Sequence, residues 1–119
     1  MARKRESNQE PLIKSAFHKC GSNRLEEVSE TVEKFSTGTI VITQGASTQI
    51  PFEEVLCGLF RHIFGDWGDL ETIGWEENEF ALANGLRLLS RYRTECGLVF
   101  WIITEHDRSV TTILLPIEY

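Results

Sequence analysis

The last third of the chain decides the fold: LRLLSRY (86–92), RTECG (93–97), LVFWIITE (98–105), HDRS (106–109) and VTTILLP (110–116). Three apolar runs alternate with two short polar breaks, the pattern of an antiparallel three-stranded meander. The middle run is apolar on both faces. Val99, Trp101 and Ile103 point one way, and Leu98, Phe100 and Ile102 the other. Such a strand belongs inside a sheet, covered on both sides, so Trp101 is expected to be buried.

Working outward, Glu76 to Asn84 reads as a short helix stopped by Gly85. Before it, DWGDLETIGW (66–75) reads as a turn-rich connection. The clearest helix precedes that. Phe52, Val55, Leu56, Leu59, Phe60 and Ile63 form one apolar face, Pro51 suits the first turn, and Glu53 and Glu54 favour the N-terminal end of the dipole. Ser47 or Thr48 can serve near its N-cap, and Gly65 can end it. Gly58 inside it leaves room for another element to come close. Residues 44–49 read as a polar loop, and TIVIT (39–43) as a strand bounded by Gly38 and Gly45. Leu25, Val28, Val32 and Phe35 recur at helical steps after Asn23 and Glu26, a capping-box pair, though the β-branched residues also allow a strand.

The sum is one α+β domain over 23–119, with residues 1–22 as a basic, disordered arm. Its sheet is expected to be antiparallel with about four strands. The C-terminal meander supplies three, the strand at 39–43 joins an edge, and the helices pack on one face.

At 119 residues the chain is one domain and buries enough surface to dispense with a metal or disulfide staple. No apolar run is long enough to span a membrane, and no apolar stretch follows Arg3, Lys4 and Arg5 to make a secretory signal. Cys20, Cys57 and Cys96 are odd in number and widely spaced, with no CxxC. That predicts neither a disulfide framework nor a zinc site, and points to a reducing, cytoplasmic compartment. Residues 1–24 carry six basic and two acidic side chains, and residues 25–119 six basic against sixteen acidic, a net of −10. An acidic body is a poor binder of phosphate backbones and suits a protein partner with a basic surface. Direct nucleic-acid contact is left to the arm.

Two stretches could carry chemistry. In the first, His62 stands near Asp66, Trp67 and Asp69. The carboxylates could hold a metal or orient a base, but no metal-ligand spacing is present. Trp67 as a core plug, Asp66 as a local cap and His62 bonded to the loop describe the stretch more simply. The second is the last hairpin, with Thr104, Glu105, His106, Asp107, Arg108, Ser109, Thr111 and Thr112. An Arg, a His and hydroxyls there could steady a phosphate or an oxyanion. Ordinary turn chemistry and an Arg108–Glu105 surface pair account for the same residues. Arg87, Arg91 and Arg93 share one face of their strand, as an anion surface or as partners for the acids.

RHIFGDWGDL (61–70), Asn78 and Ala81, RLLSRY (87–92) and FWIITEHDRSVTTILLPIEY (100–119) together resemble a family of small bacterial proteins. That family is carried on plasmids and integrative elements and is labelled plasmid-related or as a restriction subunit. The resemblance covers about half of the chain. It implies a mobile-element setting and assigns no reaction. At the level of fold, helices followed by a four-stranded sheet are similar to the barnase–EndoU–colicin–RelE type of small ribonuclease. That likeness implies His62 as general acid or base, with Arg108 and Thr112 steadying the phosphate.

Two functions are therefore expected. One is a non-enzymatic accessory protein that binds a host or defence protein, with Asp66, Trp67, Asp69, Glu105 and Asp107 in the contact surface. The other is a small ribonuclease. Neither calls for a cofactor.

Overall fold

The computed structural model describes residues 33–119. The arm at 1–22 and the helix expected from Asn23 lie outside them, except for residues 33–35, which are not helical. Strand β1 (Thr39–Ile42) comes first. Thr43 then caps a short helix, α1 (Gln44–Gln49), its hydroxyl accepting the Ala46 N–H at 3.2 Å. This helix replaces the expected polar loop. It is built from a capping threonine, and the core takes Ala46 from it and Ile50 just after it. Ser47 and Thr48 belong to α1 and do not cap the next helix.

Helix α2 (Phe52–Ile63) follows Pro51 and buries Val55, Gly58, His62 and Ile63. A Cβ on Gly58 would stand 3.0 Å from the Phe100 ring and 3.2 Å from that of Tyr92, so the missing side chain sets how closely α2 lies on the sheet. Helix α3 (Thr72–Asn84) starts four residues before the expected Glu76. Gly85, at φ 67°, closes it with its N–H on the Ala81 carbonyl. The meander then runs as β2 (Leu88–Arg93), β3 (Val99–Thr104) and β4 (Val110–Leu114), followed by a 3-10 turn at Pro116–Glu118.

The sheet order is β1-β4-β3-β2. The meander pairs are antiparallel, with Ser90 opposite Ile102 and Thr104 opposite Thr111. β1 joins the β4 edge in parallel, Ile40 beside Thr111, so the sheet is mixed where an all-antiparallel one was expected. The chain leaves β1 through three helices and a meander before returning, and that crossover is long enough for parallel pairing.

The three α-helices of the described residues pack on one face of the sheet. On that face Ala46, Ile50, Val55, Tyr92, Phe100, Ile102, Ile113 and Leu115 form one buried cluster, and Trp67, Ala81 and Leu88 a second. The other face has a thinner cover. The Tyr119 ring stands edge-on to Trp101, 5.5 Å between centroids, and the Arg87 guanidinium lies over Tyr119 at 5.4 Å. Trp101 is only half-buried, contrary to expectation, because the helices lie on the Phe100–Ile102 side. The Glu118 carboxylate holds the 3-10 turn in place, accepting the Thr43 hydroxyl and the N–H groups of Gly45 and Leu115. The Thr43 hydroxyl, first among these donors, holds the Glu118 carboxyl below its ordinary pKa.

Among the described residues no helix is long and apolar enough to cross a membrane. Cys57 is disulfide-bonded, against the expectation from cysteine spacing, and Cys96 is free and exposed.

Candidate functional site

The helix-facing sides of β2, β3 and β4 each place a hydroxyl under α2: Ser90, Thr104 and Thr111, none with any solvent exposure. His62 reaches down between them, itself fully buried. Its Nδ1 stands 2.6 Å from the Ser90 hydroxyl and its Nε2 2.9 Å from that of Thr104. Thr104 lies 2.7 Å from Thr111, and the Thr111 hydroxyl donates to the Thr37 carbonyl at 2.8 Å.

The direction of every bond follows from that last one. A carbonyl only accepts, so the single proton of Thr111 goes to Thr37. Thr104 must then donate to Thr111, and its oxygen must accept from His62. Nε2 therefore carries the proton. Nδ1 is left as an acceptor for the Ser90 hydroxyl. Both ring nitrogens and every hydroxyl proton are used, with the imidazole neutral.

Burial, and next the Arg108 guanidinium nearby, lower the His62 pKa to about 3. The ring is boxed by aromatics: Phe35 edge-on at 5.2 Å and Trp67 at 5.7 Å. The arrangement stitches α2, three strands and the approach to β1 into one unit. It has no open lone pair and no solvent contact with which to accept a proton from a substrate.

Trp67 is fully buried, the plug foreseen as the simpler reading, and its indole donates to Glu79 at 2.8 Å. Asp66 accepts two bonds from Arg61, at 2.9 and 3.3 Å, and the Gly68 N–H at 3.2 Å. Asp69 sits on the surface between Arg91 (3.3 Å) and Arg93 (3.0 Å). The three arginines that share one strand face are thus engaged, since Arg87 faces Glu105 at 3.7 Å and donates to the Tyr119 hydroxyl.

Arg108 holds a left-handed backbone (φ 61°) and spends its guanidinium on carbonyls: Leu86 at 2.6 Å, Glu105 at 3.0 Å and Ala81 at 3.4 Å. It closes the C-terminal end of α3, and the expected Arg108–Glu105 carboxylate pair gives way to these bonds. Asp107 is exposed and caps the turn at the Ser109 N–H (3.0 Å); the side-chain bond from Ser109, its largest influence, lowers its pKa.

His62, Trp67 and Arg108 do gather around the Phe35 ring, which Arg108 overlies at 5.7 Å. Thr112 does not join them. Paired with Ile103 and Val41, it points to the far side of the sheet, and Thr111 takes the place beside the histidine network. The three residues of the ribonuclease reading therefore share no opening. Among the described residues no group of three or more His, Cys, Asp or Glu side chains could hold a metal ion.

The Asp66–Asp69 segment instead guards a strand edge. Arg91 donates to the Trp67 carbonyl (3.1 Å), and Asp69 donates to that of Arg91 (2.6 Å). A Cβ on Gly68, where φ is 83°, would fall 2.1 Å from the Arg91 oxygen, so glycine is required there. Asn78 completes the edge from α3. Its amide donates to the Leu89 carbonyl at 2.6 Å and accepts the Leu89 N–H at 3.2 Å.

Sequence reasoning missed one surface. Ile73 and Phe80 stand 64% and 62% exposed, two turns apart on the outer side of α3, and Leu86 follows at 46%. With Glu76, Glu77 and His106 they line a shallow groove. The seven-residue spacing of Ile73 and Phe80 was the available signal.

No protein-family model, curated protein or solved structure matches the chain.

Proposed function

We propose that this protein is a mobile-element accessory protein that acts by binding another protein. Its partner presents an apolar segment flanked by basic side chains. The observation that carries the reading is the groove on α3: Ile73, Phe80 and Leu86 exposed together, with Glu76 and Glu77 on its border. Isolated exposed apolar residues need no explanation, whereas a contiguous set with a charged rim is the anatomy of an interface. The −10 balance of residues 25–119 favours a basic counterpart and adds long-range steering toward it. A nucleic-acid-handling host or defence complex has a surface of that sign, and occupying it would inhibit the complex. Asp107 adds to the acidic surface, Asp69 and Glu105 are ion-paired with Arg91, Arg93 and Arg87, and Trp67 and Asp66 support the fold behind them.

Action in the cytoplasm goes with the mobile-element setting. The Cys57 disulfide weighs against a reducing compartment.

The test is capture from host lysate, followed by purification of the captured protein and direct titration. The reading expects binding that weakens at least tenfold when ionic strength is raised tenfold, and that is lost in Phe80→Ser and in the Glu76→Lys, Glu77→Lys double variant. Binding indifferent to salt and to both variants would overturn it.

A further inference from the structure

We propose that a second copy of this chain pairs with the free edge of β1, joining two four-stranded sheets into one of eight. The proposal concerns a different surface from the α3 groove and does not rest on the function proposed above.

The two edges of the sheet are treated differently. At β2, Asn78 and the Trp67–Asp69 segment take the outward-facing backbone groups of Leu89 and Arg91. At β1, among the described residues, nothing does so. Thr39 and Thr43 donate to the Ser109 and Ile113 carbonyls, both at 3.0 Å, so these alternate residues face β4. Ile40 and Ile42 must then turn their N–H and C=O groups away from the sheet. An open edge with apolar side chains is an invitation to another strand, and proteins that avoid pairing put charge or proline there. This one does neither: Ile40, Val41 and Ile42 are 48%, 42% and 39% exposed.

The surface beside the edge says what fits it. Ile40 and Ile42 line a groove with Leu56, Leu59 and Phe52, which is 74% exposed, and among the described residues no ionisable side chain borders it. A basic partner finds no charge to answer here, whereas a second copy brings the same uncharged surface.

The strand is also its own complement. A two-fold axis through Val41, normal to the sheet, sets Ile40 opposite Ile42 of the second copy and Ile42 opposite its Ile40. Both pairs are hydrogen-bonded, giving four backbone bonds. That axis keeps the helix layers of both copies on one side and brings the two Phe52 side chains together over the seam. Val41 meets Val41 on the other face.

The four apolar side chains offer roughly 350 Å² per copy, which with their rim approaches the roughly 1,000 Å² at which specific weak association begins. The dimer is accordingly a weak, concentration-dependent one. Its salt dependence is opposite to that of the α3 groove. Two chains of net −6 repel each other, so salt strengthens this contact while it weakens a basic partner's. The two proposals can therefore fail separately.

Sedimentation equilibrium of the full chain over a wide concentration range tests the pairing. Wild type is expected to rise from monomer toward dimer, more readily at high salt. Ile40→Lys is expected to stay monomeric with an unchanged circular dichroism spectrum. In a Cys96→Ser background, Val41→Cys is expected to form a covalent dimer on oxidation, because residues facing each other across a non-hydrogen-bonded antiparallel position lie within disulfide reach. A wild type that stays monomeric throughout, a folded Ile40→Lys that dimerises as well as wild type, or a dimer in which Val41→Cys does not cross-link would each overturn the proposal.

Discussion

At the scale of single residues, His62 is the most constrained side chain described. Its removal takes the acceptor from the Ser90 hydroxyl and the donor from the Thr104 oxygen, which keeps only its bond to Thr111. Cutting it to alanine costs about 1–3 kcal/mol for these buried groups and opens a cavity as well. His62→Ala should therefore lose at least about 3 kcal/mol in urea unfolding. The same residue sets a pH dependence. The folded imidazole resists protonation down to about pH 3, while in the unfolded chain it takes a proton near its ordinary value of 6.5. Between those limits the unfolded state binds more protons, so acidification favours it. The contribution is fully present above pH 6.5 and falls by up to about 1.4 kcal/mol per pH unit on the way to pH 3. His62→Ala lacks that slope. Unfolding of both proteins at pH 7, 6, 5 and 4 should show the gap between them narrowing on acidification, and a gap that stays constant would mean that the buried ring does titrate.

At the scale of elements, what could be read from the sequence and what could not divide along physical lines. The meander was legible because its strands are consecutive and its loops short, so neighbours along the chain are neighbours in the sheet. α2 was legible because its apolar face repeats over three turns. α1 was not, because Gln44–Gln49 has no apolar period and gives the core only Ala46 within its span. The direction of β1 was hidden as well, since its partner lies some seventy positions away and either sense satisfies the same alternation. For the site, the residue types were visible and their setting was not. Parity puts Thr111 and Thr112 on opposite faces of their strand, but only the register brings Ser90, Thr104 and Thr111 to one face, and nothing local says which face meets α2.

Asn78 shows what only the fold reveals. In sequence it is one polar residue of a helix, and in the structure it replaces a missing strand for Leu89. Asn78→Ala should cost roughly 1–3 kcal/mol, because both backbone groups of a half-buried residue lose their partner. Backbone amide exchange at Leu89 should accelerate beyond the change seen at Ile102 in the interior. Equal acceleration at both sites would show that the asparagine supports overall stability with no particular duty at the edge.

For the whole molecule, chain order governs what can form on its own. β4 lies between β1 and β3, and the Thr111 bond to Thr37 and the Glu118 bond to Thr43 reach back across 74 and 75 positions. A chain ending at Ser109 keeps α1, α2, α3 and the β2–β3 pair but loses the strand that holds β1. It should give no cooperative thermal transition, and a cooperative one would mean that the helix layer stands without the sheet's centre.

The same wiring bears on birth at the ribosome. β1 waits for a mate translated some seventy residues later. At roughly 5–20 residues per second that delay is about 4–14 s, during which Ile40, Val41 and Ile42 have no sheet to join. Nascent copies on one polysome, held side by side during the wait, are thereby given the chance to meet strand to strand before either has closed, and a chaperone that shields short aliphatic runs would be of most use to this protein in that interval.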